Sequence, residues 1–595
     1  MKTKSVLVPM GSFDDYGGWV LDTQFVPLMG CPYLLAHGLG KPVDDASTHV
    51  MFPDTGIYYL KVYTSNWVSP WNKEYSPGRF AISLNTVMLA TEFGDHDGLW
   101  DWEDGGQVTI EDLSVKIALK DLTGFEGRCG FLYFSTDKNS VPPIEPKKLF
   151  TFYQQSLGIQ IPLEQDSFDM VVVGGGIAGM CAALSSARQG LKTALLQDRK
   201  IFGGNNSSEV RVWLGGLTNL EPFVGIGNIV GEFEQKRIGH YGDENQKDLY
   251  EDGKKLAVLE KEDNLSLFPC TIMMEGQVEH DCISSITAWD YENDKVFSIA
   301  SHLFCDSTGD GTLGAECGAD FEVSTNGHMG MSNLWYVERS EQEESFPSCP
   351  WAVDLKDVEF PGRSDVKDVY GNSRETSLGC WFWESGCELD PIIYAEYARD
   401  MNFRAMYGAW DCLKNIDHDY KDFRLGFSAY IGGKRESRRL LGDVILTKAE
   451  VIAQRGYEDG CVPSTWNFDV HYPDRRFYAA FHEGDGFLTK DYRDRYKIPF
   501  FIPYRCLYSR NINNLFMAGR NISVTHDALG AARVMRTCGM MGEVVGYAAK
   551  ICREQHENPR EVYISHLPLL LSRLRALENH ETAKPGVEIQ MHNDQ

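Results

Sequence analysis

A chain of 595 residues is longer than one hydrophobic core supports, because cores stop growing at about 250–300 residues, so two or three domains are expected. Lys+Arg 57 against Asp+Glu 85 leaves a formal charge of −28, which repels phosphate backbones and anionic lipid and argues against nucleic acid or a membrane as partner. The 43% hydrophobic and 24% charged residues, with no apolar run of about eighteen, describe a globular chain without a membrane span.

The opening Met1-Lys-Thr-Lys-Ser-Val-Leu-Val-Pro-Met has two lysines but too short an apolar stretch for a secretory signal, and a cytoplasmic protein is expected. From Gly17 to about Phe134, short alternating segments such as Gly56-Ile-Tyr-Tyr-Leu-Lys-Val-Tyr-Thr are separated by Gly, Pro, Asp and Asn, which predicts an all-β sandwich within residues 1–150. Trp19, Trp67, Trp71, Trp100 and Trp102 crowd this region. Tryptophans on a sandwich face can stack on sugar rings; filling a small core, or its contact with the next domain, is the simpler use. The fifteen cysteines, scattered from Cys31 to Cys552 without a CxxC pair, indicate neither a metal site nor a disulfide framework.

Val141-Pro-Pro-Ile-Glu-Pro-Lys-Lys interrupts the strand pattern as a connection would. Beyond it, strand-like and helix-like segments alternate. That pattern predicts an α/β Rossmann-like dinucleotide domain in two parts, 165–327 and 493–595, the second with a C-terminal helix. Residues 328–492, rich in Trp, Tyr, Arg and Gly without a clear period, read as an inserted substrate or cap domain.

Phe168-Asp-Met-Val-Val-Val is an apolar strand leading into Gly174-Gly-Gly-Ile177-Ala178-Gly179 and then a helix-forming run. Gly174 permits the tight turn, Gly176 lets backbone approach a pyrophosphate, and Gly179 lets helix pack on strand. The N–H groups and positive dipole end of the helix face the phosphates. A second strand follows at the proper distance, Lys192-Thr-Ala-Leu-Leu-Gln197-Asp198, where an acidic residue would bind an adenosine ribose; Gln197 and Asp198 both stand as candidates.

Three later segments favour a flavin dinucleotide over a nicotinamide one. Phe202-Gly203-Gly204-Asn205-Asn-Ser207-Ser208-Glu-Val-Arg is a glycine- and amide-rich loop able to wrap an extended dinucleotide. Leu303-Phe-Cys-Asp306-Ser-Thr308-Gly309-Asp310-Gly311 is a strand ending in an acidic glycine turn. Asn514-Leu-Phe-Met-Ala-Gly519-Arg520-Asn-Ile-Ser523 is a late strand, followed by a helix expected from about Gly530 to Ala549. Flavoproteins use such a returning strand and helix to stabilise charge on the reduced isoalloxazine.

These residues resemble a bacterial family of FAD-dependent oxidoreductases related to the fumarate-reductase-like flavoproteins. The resemblance is carried by Gly203 to Glu209, Asp306 to Gly311, Arg435 to Arg439 and Ala518 to Ser523, and by Gly17-Gly-Trp-Val-Leu-Asp-Thr-Gln-Phe in the N-terminal region. It implies FAD and a small polar substrate, a sugar or sugar acid among the options; because no histidine closely follows the glycine-rich loop, the FAD is expected to be held non-covalently. The alternatives are fumarate-reductase-like reduction of an unsaturated carboxylate, and a glycan-binding protein on a redox-inert flavin scaffold.

For the chemistry, a base, oxyanion donors and a substrate carbon over flavin N5 are needed. His526, between the late strand and its helix, is the leading base, with helix capping as its ordinary alternative. Arg533 and Arg536, i and i+3 on the expected helix, share a face suited to an anion. Asp469 and His471 alternate on a strand and project to one side as an acid–base pair. Arg505, after Pro503-Tyr504, and the cluster Arg435, Glu436, Arg438 and Arg439 are further candidates to grip a carboxylate, surface ion pairing being the ordinary use.

Overall fold

The computed structural model describes residues 3–159, 163–164, 167–234, 242–480, 486–494 and 498–579. Ten strands between Ser5 and Ser135 make two antiparallel sheets. One runs Val20–Asp22, Tyr33–Ala36, Gly127–Ser135, Gly56–Thr64, Asp101–Ile110, with Ser5–Pro9 also on Gly127–Ser135; the other runs Ala46–Met51, Ser114–Asp121, Phe80–Leu84, Val87–Phe93. Leu34, Leu60 and Val62 of the first share an apolar cluster with Ile82, Ile117 and Leu119 of the second. Gly127–Ser135 is buried at every position. Its alternation sends Leu132 and Phe134 into that cluster, and Phe131 and Tyr133 into another with Leu149, Tyr153 and Trp289.

Downstream, the strands Phe168–Val173 (β1), Thr193–Leu196 (β2), Leu265–Phe268 (β3), Lys295–Asp306 (β4) and Leu515–Met517 (β5) pair in parallel in the order β3-β2-β1-β4-β5. β4 serves two layers: its first half pairs antiparallel with Cys282–Asp290, its second half parallel with β1 and β5. The switch along one strand places the turn after Asp306 at the same sheet end as the glycine turn after Val173.

The helix Ile177–Arg188 (α1) lies at backbone contact under the long helix Met535–Gln555 (α3), which precedes the last helix, Pro559–Arg575. A Cβ on Gly542 would overlap the Ala178 carbonyl, and one on Gly546 would overlap Ser185. Small residues on both helices permit the approach, and Ser185 Oγ donates to the Glu543 carbonyl at 2.9 Å.

The expected single helix from Gly530 is instead two, His526–Ala532 (α2) and α3, broken at Arg533 and Val534. Val534 is extended, and the Arg536 N–H, an orphan donor of the new first turn, bonds the Gly215 carbonyl. Arg533 and Arg536 therefore share no helix face. Arg536 goes to the Gly216 carbonyl (2.9 Å) and Glu234 (2.6 Å), and Arg533 to the Asp469 carbonyl (3.0 Å).

Between Met331 and Asp494 the chain forms two- and three-stranded sheets around the helix Ala395–Asp411. Its core, with Trp335, Trp383, Phe403 and Trp410, also takes Trp67, Val68 and Phe125 from the N-terminal region. Beside it lies a buried charge network. Arg128 donates to Asp400 (2.6 Å) and Glu396 (2.9 Å), while Arg399 donates to Asp22 (2.6 Å), to Asp400 (3.0 Å) and to the Tyr33 hydroxyl (2.9 Å). Removing one member would strand a buried charge, the costly case for such networks. The five N-terminal tryptophans all pack against protein: Trp19 on Phe80, Trp67 on Trp351, Trp71 on Tyr397, Trp100 on Tyr33 and Tyr63, Trp102 on Tyr63 and Tyr133.

Of the fifteen cysteines, all but Cys282 are buried. Among the described residues, no helix is long and apolar enough to cross a membrane, and no cluster of three His, Cys, Asp or Glu could hold a metal.

Candidate active site

The glycine turn between β1 and α1 divides its work by position. Gly174 has φ +105°, and a Cβ there would overlap the Ser307 carbonyl; a Cβ on Gly179 would overlap the Gly174 carbonyl. Gly176 differs, since the nearest atom to a Cβ there is 3.9 Å away, on Gly204. It is the N-cap of α1 and brings no side-chain cap, so the first-turn N–H groups, with Ile177 and Ala178 behind them, are left for an anion.

The loop after β2 closes over this turn. Gly203 N–H donates to the Gly175 carbonyl at 2.8 Å, and Gly203 and Gly204 both have positive φ. Within the loop the Asn205 carbonyl accepts from Val212 N–H (2.9 Å), Ser207 Oγ donates to the Gly204 carbonyl (2.7 Å), and Ser208 N–H donates to Asp252 (3.1 Å). Lys255, which sequence reasoning missed, anchors it from beneath. Its buried ammonium donates to the Asn206 carbonyl, the Tyr250 carbonyl (2.6 Å) and Asp252 (3.1 Å). A lone lysine on a short helix gives no sequence signal for that role.

Gln197 and Asp198 now separate. Gln197 Oε1 accepts from Gly175 N–H (2.8 Å) and its Nε2 donates to the Ile201 carbonyl (3.0 Å), so it props the glycine turn from within the protein. Asp198 keeps nearly half of its side chain open, 3.8 Å from Arg199, and is the better placed for a ribose.

At the end of β4, Asp306 is a buried brace. It accepts from the Thr308 N–H (3.0 Å), the Thr308 hydroxyl (2.7 Å) and Gly314 N–H (2.9 Å). That brace presents Gly309 and Asp310. Asp310 meets Lys434 at 2.6 Å and Arg520 at 2.7 Å; burial pushes its carboxyl up, and the two cations outweigh burial and hold it well below the usual range. From the returning strand, Gly519 (φ +120°) lies against Ala178 of α1. Arg520 Nε, Asn521 Oδ1 and Ser523 Oγ are buried with no hydrogen-bond partner among the described residues. Uncapped N–H groups, an open Gly176 and orphaned polar atoms on the returning segment suit an extended dinucleotide.

Two histidine–carboxylate pairs lie beyond it. His526 opens α2, its Nδ1 2.7 Å from Glu436 Oε2 and its Nε2 3.4 Å from the Tyr472 hydroxyl, with 21% of the side chain open. Glu436 is fully enclosed and also accepts from Arg439 and from Met329 N–H (3.1 Å). Burial raises its carboxyl, but the His526 hydrogen bond and the charges of His526 and Arg439 bring it below normal. In the second pair His471 Nδ1 lies 2.7 Å from Glu384, which also accepts from the Thr489 hydroxyl (2.9 Å). Against burial, Arg435 and His471 hold Glu384 at about 2.

Asp469 and His471 do face each other, Nε2 to Oδ1 3.4 Å, yet His471 is only 1% open. The strand Phe468–Pro473 reaches α2 because Gly530 leaves room: a Cβ there would stand 3.0 Å from the Asp469 backbone. Arg533, whose cation burial disfavours, bonds the Asp469 carbonyl and leaves its Nε without a partner. Arg435 donates to Ser332 Oγ (2.8 Å) and to the Trp381 carbonyl (2.6 Å). Arg438 reaches the Asp310 carbonyl at 3.3 Å. Arg505 joins neither histidine: it forms a two-point pair with Asp459 (2.8 Å each) and lies over the Tyr563 ring.

Comparison with known proteins agrees with this geometry. The family described as FAD dependent oxidoreductase matches residues 169–571. A stretch of 59 residues, 10% of each chain, is 42% identical to glycerol-3-phosphate dehydrogenase 2 of Mycobacterium bovis. Another of 61 residues, 10% of this chain and 11% of the other, is 36% identical to aerobic glycerol-3-phosphate dehydrogenase of Staphylococcus aureus. The chain thus matches about a tenth of the length of these curated relatives. Quinol fumarate reductase of E. coli is similar over 69% of this chain and 75% of that one, at 11% identity and a TM-score of 0.31. The family match spans most of the chain, and the protein belongs to the FAD dependent oxidoreductase family as a multidomain α/β flavoenzyme that uses FAD.

Proposed function

We propose that this enzyme exchanges a hydride between a small polar substrate and FAD, with His526 moving the accompanying proton. The observation that carries the reading is the His526–Glu436 pair. An imidazole with a fifth of its side chain open begins α2 on the segment returning from Gly519, and an enclosed carboxylate on its other nitrogen fixes the ring. FAD when bound supplies two-electron chemistry at N5. The chain's own contribution is to seat the diphosphate on α1 and the loop from Gly203, to order Asp310 between Lys434 and Arg520, and to present His526 Nε2 toward the Tyr472 hydroxyl.

The same reading divides the chain into a β-sandwich over 1–150, a Rossmann-like flavin domain over 165–327 and 493–595, and a cap over 328–492. The flavin is held non-covalently. A sugar or sugar acid fits a site built from histidine, tyrosine and arginine. One observation favours a second reading, reduction of an unsaturated carboxylate: the Arg533 Nε that lacks a partner suits an acid group.

Anaerobic mixing with sugars, sugar acids and α-hydroxy acids, followed by flavin bleaching, tests the first reading. Reoxidation of the photoreduced enzyme by fumarate analogues tests the second. Bleaching by none of the first set, with rapid reoxidation by the second, would reverse their order.

A further inference from the structure

Residues 429–432 connect two strands, Phe423–Ser428 and Gly433–Lys434; at the near end the Ala429 N–H donates to the Leu334 carbonyl (2.7 Å) and Asn333 Nδ2 donates to the Ala429 carbonyl (2.8 Å), and no described strand pairs with the rest of this connection. Immediately beyond it come Lys434 on Asp310, Arg435 beside Glu384 and Glu436 on His526. Loops hold side chains less closely than strands, so a redox site hung on this one needs outside support. The support comes from the N-terminal β region. Gln24 Oε1 accepts from Gly432 N–H at 2.7 Å and Gln24 Nε2 donates to the Tyr430 carbonyl at 3.1 Å, so one carboxamide grips two alternate residues as a neighbouring strand would. The ring of His37 holds a third, its Nε2 2.8 Å from the Ser428 carbonyl.

Both gripping side chains are themselves held. The other Gln24 Nε2 hydrogen goes to Asp22 at 3.0 Å, and Asp22 is fixed by Arg399 (2.6 Å) and by the Tyr33 hydroxyl (2.7 Å). His37 Nδ1 lies 2.8 Å from Glu126, which also accepts from the Tyr407 hydroxyl at 2.7 Å. The gripped segment touches both ends of the dinucleotide site. The Tyr430 hydroxyl meets Glu209 at 3.2 Å, Glu209 pairs with Arg199 at 2.9 Å, and Arg199 stands by Asp198; at the other end is Asp310.

We propose that the N-terminal β region is a positioning element of the redox site. Through Gln24 and His37 it clamps the backbone of residues 428–432 and so sets the register at which Lys434, Arg435 and Glu436 meet their partners. This role is independent of which substrate the enzyme takes. It also accounts for a β region that shares cores and a buried charge network with the rest of the chain.

The test uses the full-length holoenzyme, with FAD as probe. Gln24→Met removes both contacts to the 428–432 segment, together with the bond to Asp22, at nearly constant volume. Trp100→Phe is the control: it removes a hydrogen bond to Glu396 at the same interface without touching residues 428–432. FAD affinity, read from released flavin fluorescence, and midpoint potential, read by photoreduction against a reference dye, are measured beside thermal stability. Q24M should weaken FAD binding roughly tenfold and shift the potential, as loss of supporting contacts does elsewhere, while W100F keeps wild-type values for both. Should Q24M fail to fold, Gln24→Ala removes the same contacts with less bulk and should give the same weakening and the same direction of shift. Wild-type affinity and potential in the folded Gln24 variant, or equal changes in W100F, would overturn the proposal whatever happens to stability.

Discussion

The two histidine–carboxylate pairs have the same contact distance, 2.7 Å, and different surroundings. His471 is closed on every side, between Glu384 and Asp469, under the Trp381 ring at 4.8 Å. His526 has only one nitrogen committed to its carboxylate, and a fifth of its side chain is open. A proton carrier must reach something outside the protein, whereas a latch must not, so on the proposed reading it is access that assigns the proton to His526 and leaves His471 as a latch.

Breaking each pair sharpens the contrast. His526→Gln should slow flavin reduction by roughly 10²–10⁴-fold, the usual contribution of a positioned acid–base group, and leave FAD content unchanged in stopped-flow and absorbance measurements. An equal loss of rate in His471→Gln would erase the distinction. Glu384→Ala should instead cost about 3–5 kcal/mol in urea unfolding, because it leaves the buried Arg435 without this counter-charge and takes the partner from His471 Nδ1 and the Thr489 hydroxyl.

A third carboxylate gives the smallest effect, with the opposite sign. Glu543, inside α3, pairs with no cation among the described residues; burial raises it to about 7 against the N–H groups of Gly227 and Val230. Its folded state binds a proton more tightly than the unfolded chain does, so its contribution to stability falls as pH rises from the ordinary glutamate range through about 7. Glu384, held at about 2, contributes stability above the ordinary range and loses it as pH falls toward 2. Glu543→Gln should therefore flatten a plot of thermal midpoint against pH between the ordinary glutamate range and about 7, and leave the fall toward pH 2 in place. An unchanged slope over that interval would show that the N–H groups keep Glu543 ionised.

Much of the flavin region was readable in advance. Gly179 packs on the Gly174 carbonyl within one strand–turn–helix unit, so the spacing of the glycine turn shows in the sequence, although Gly174 also meets Ser307 and Gly176 faces Gly204 from distant segments. Partners decided elsewhere in the chain were not readable. Gln197 stood where a ribose ligand was sought and turned out to prop Gly175. Arg533 and Arg536 promised a shared face until the Gly215 carbonyl, more than three hundred residues earlier, captured the Arg536 N–H and began a new helix. Arg505 carried no mark of its engagement with Asp459, nor Lys255 of its place beneath the glycine loop.

The amino-acid order by itself determined where the chain bends back on a dinucleotide and which polar residues stand near those bends, because glycine conformation and strand periodicity are local properties. Only the folded molecule decided which histidine is open, which arginine is already engaged and which domain steadies the segment between Ser428 and Lys434. Access and pairing depend on groups distant in sequence, and each buried polar atom takes whatever partner the packing brings within about 3 Å.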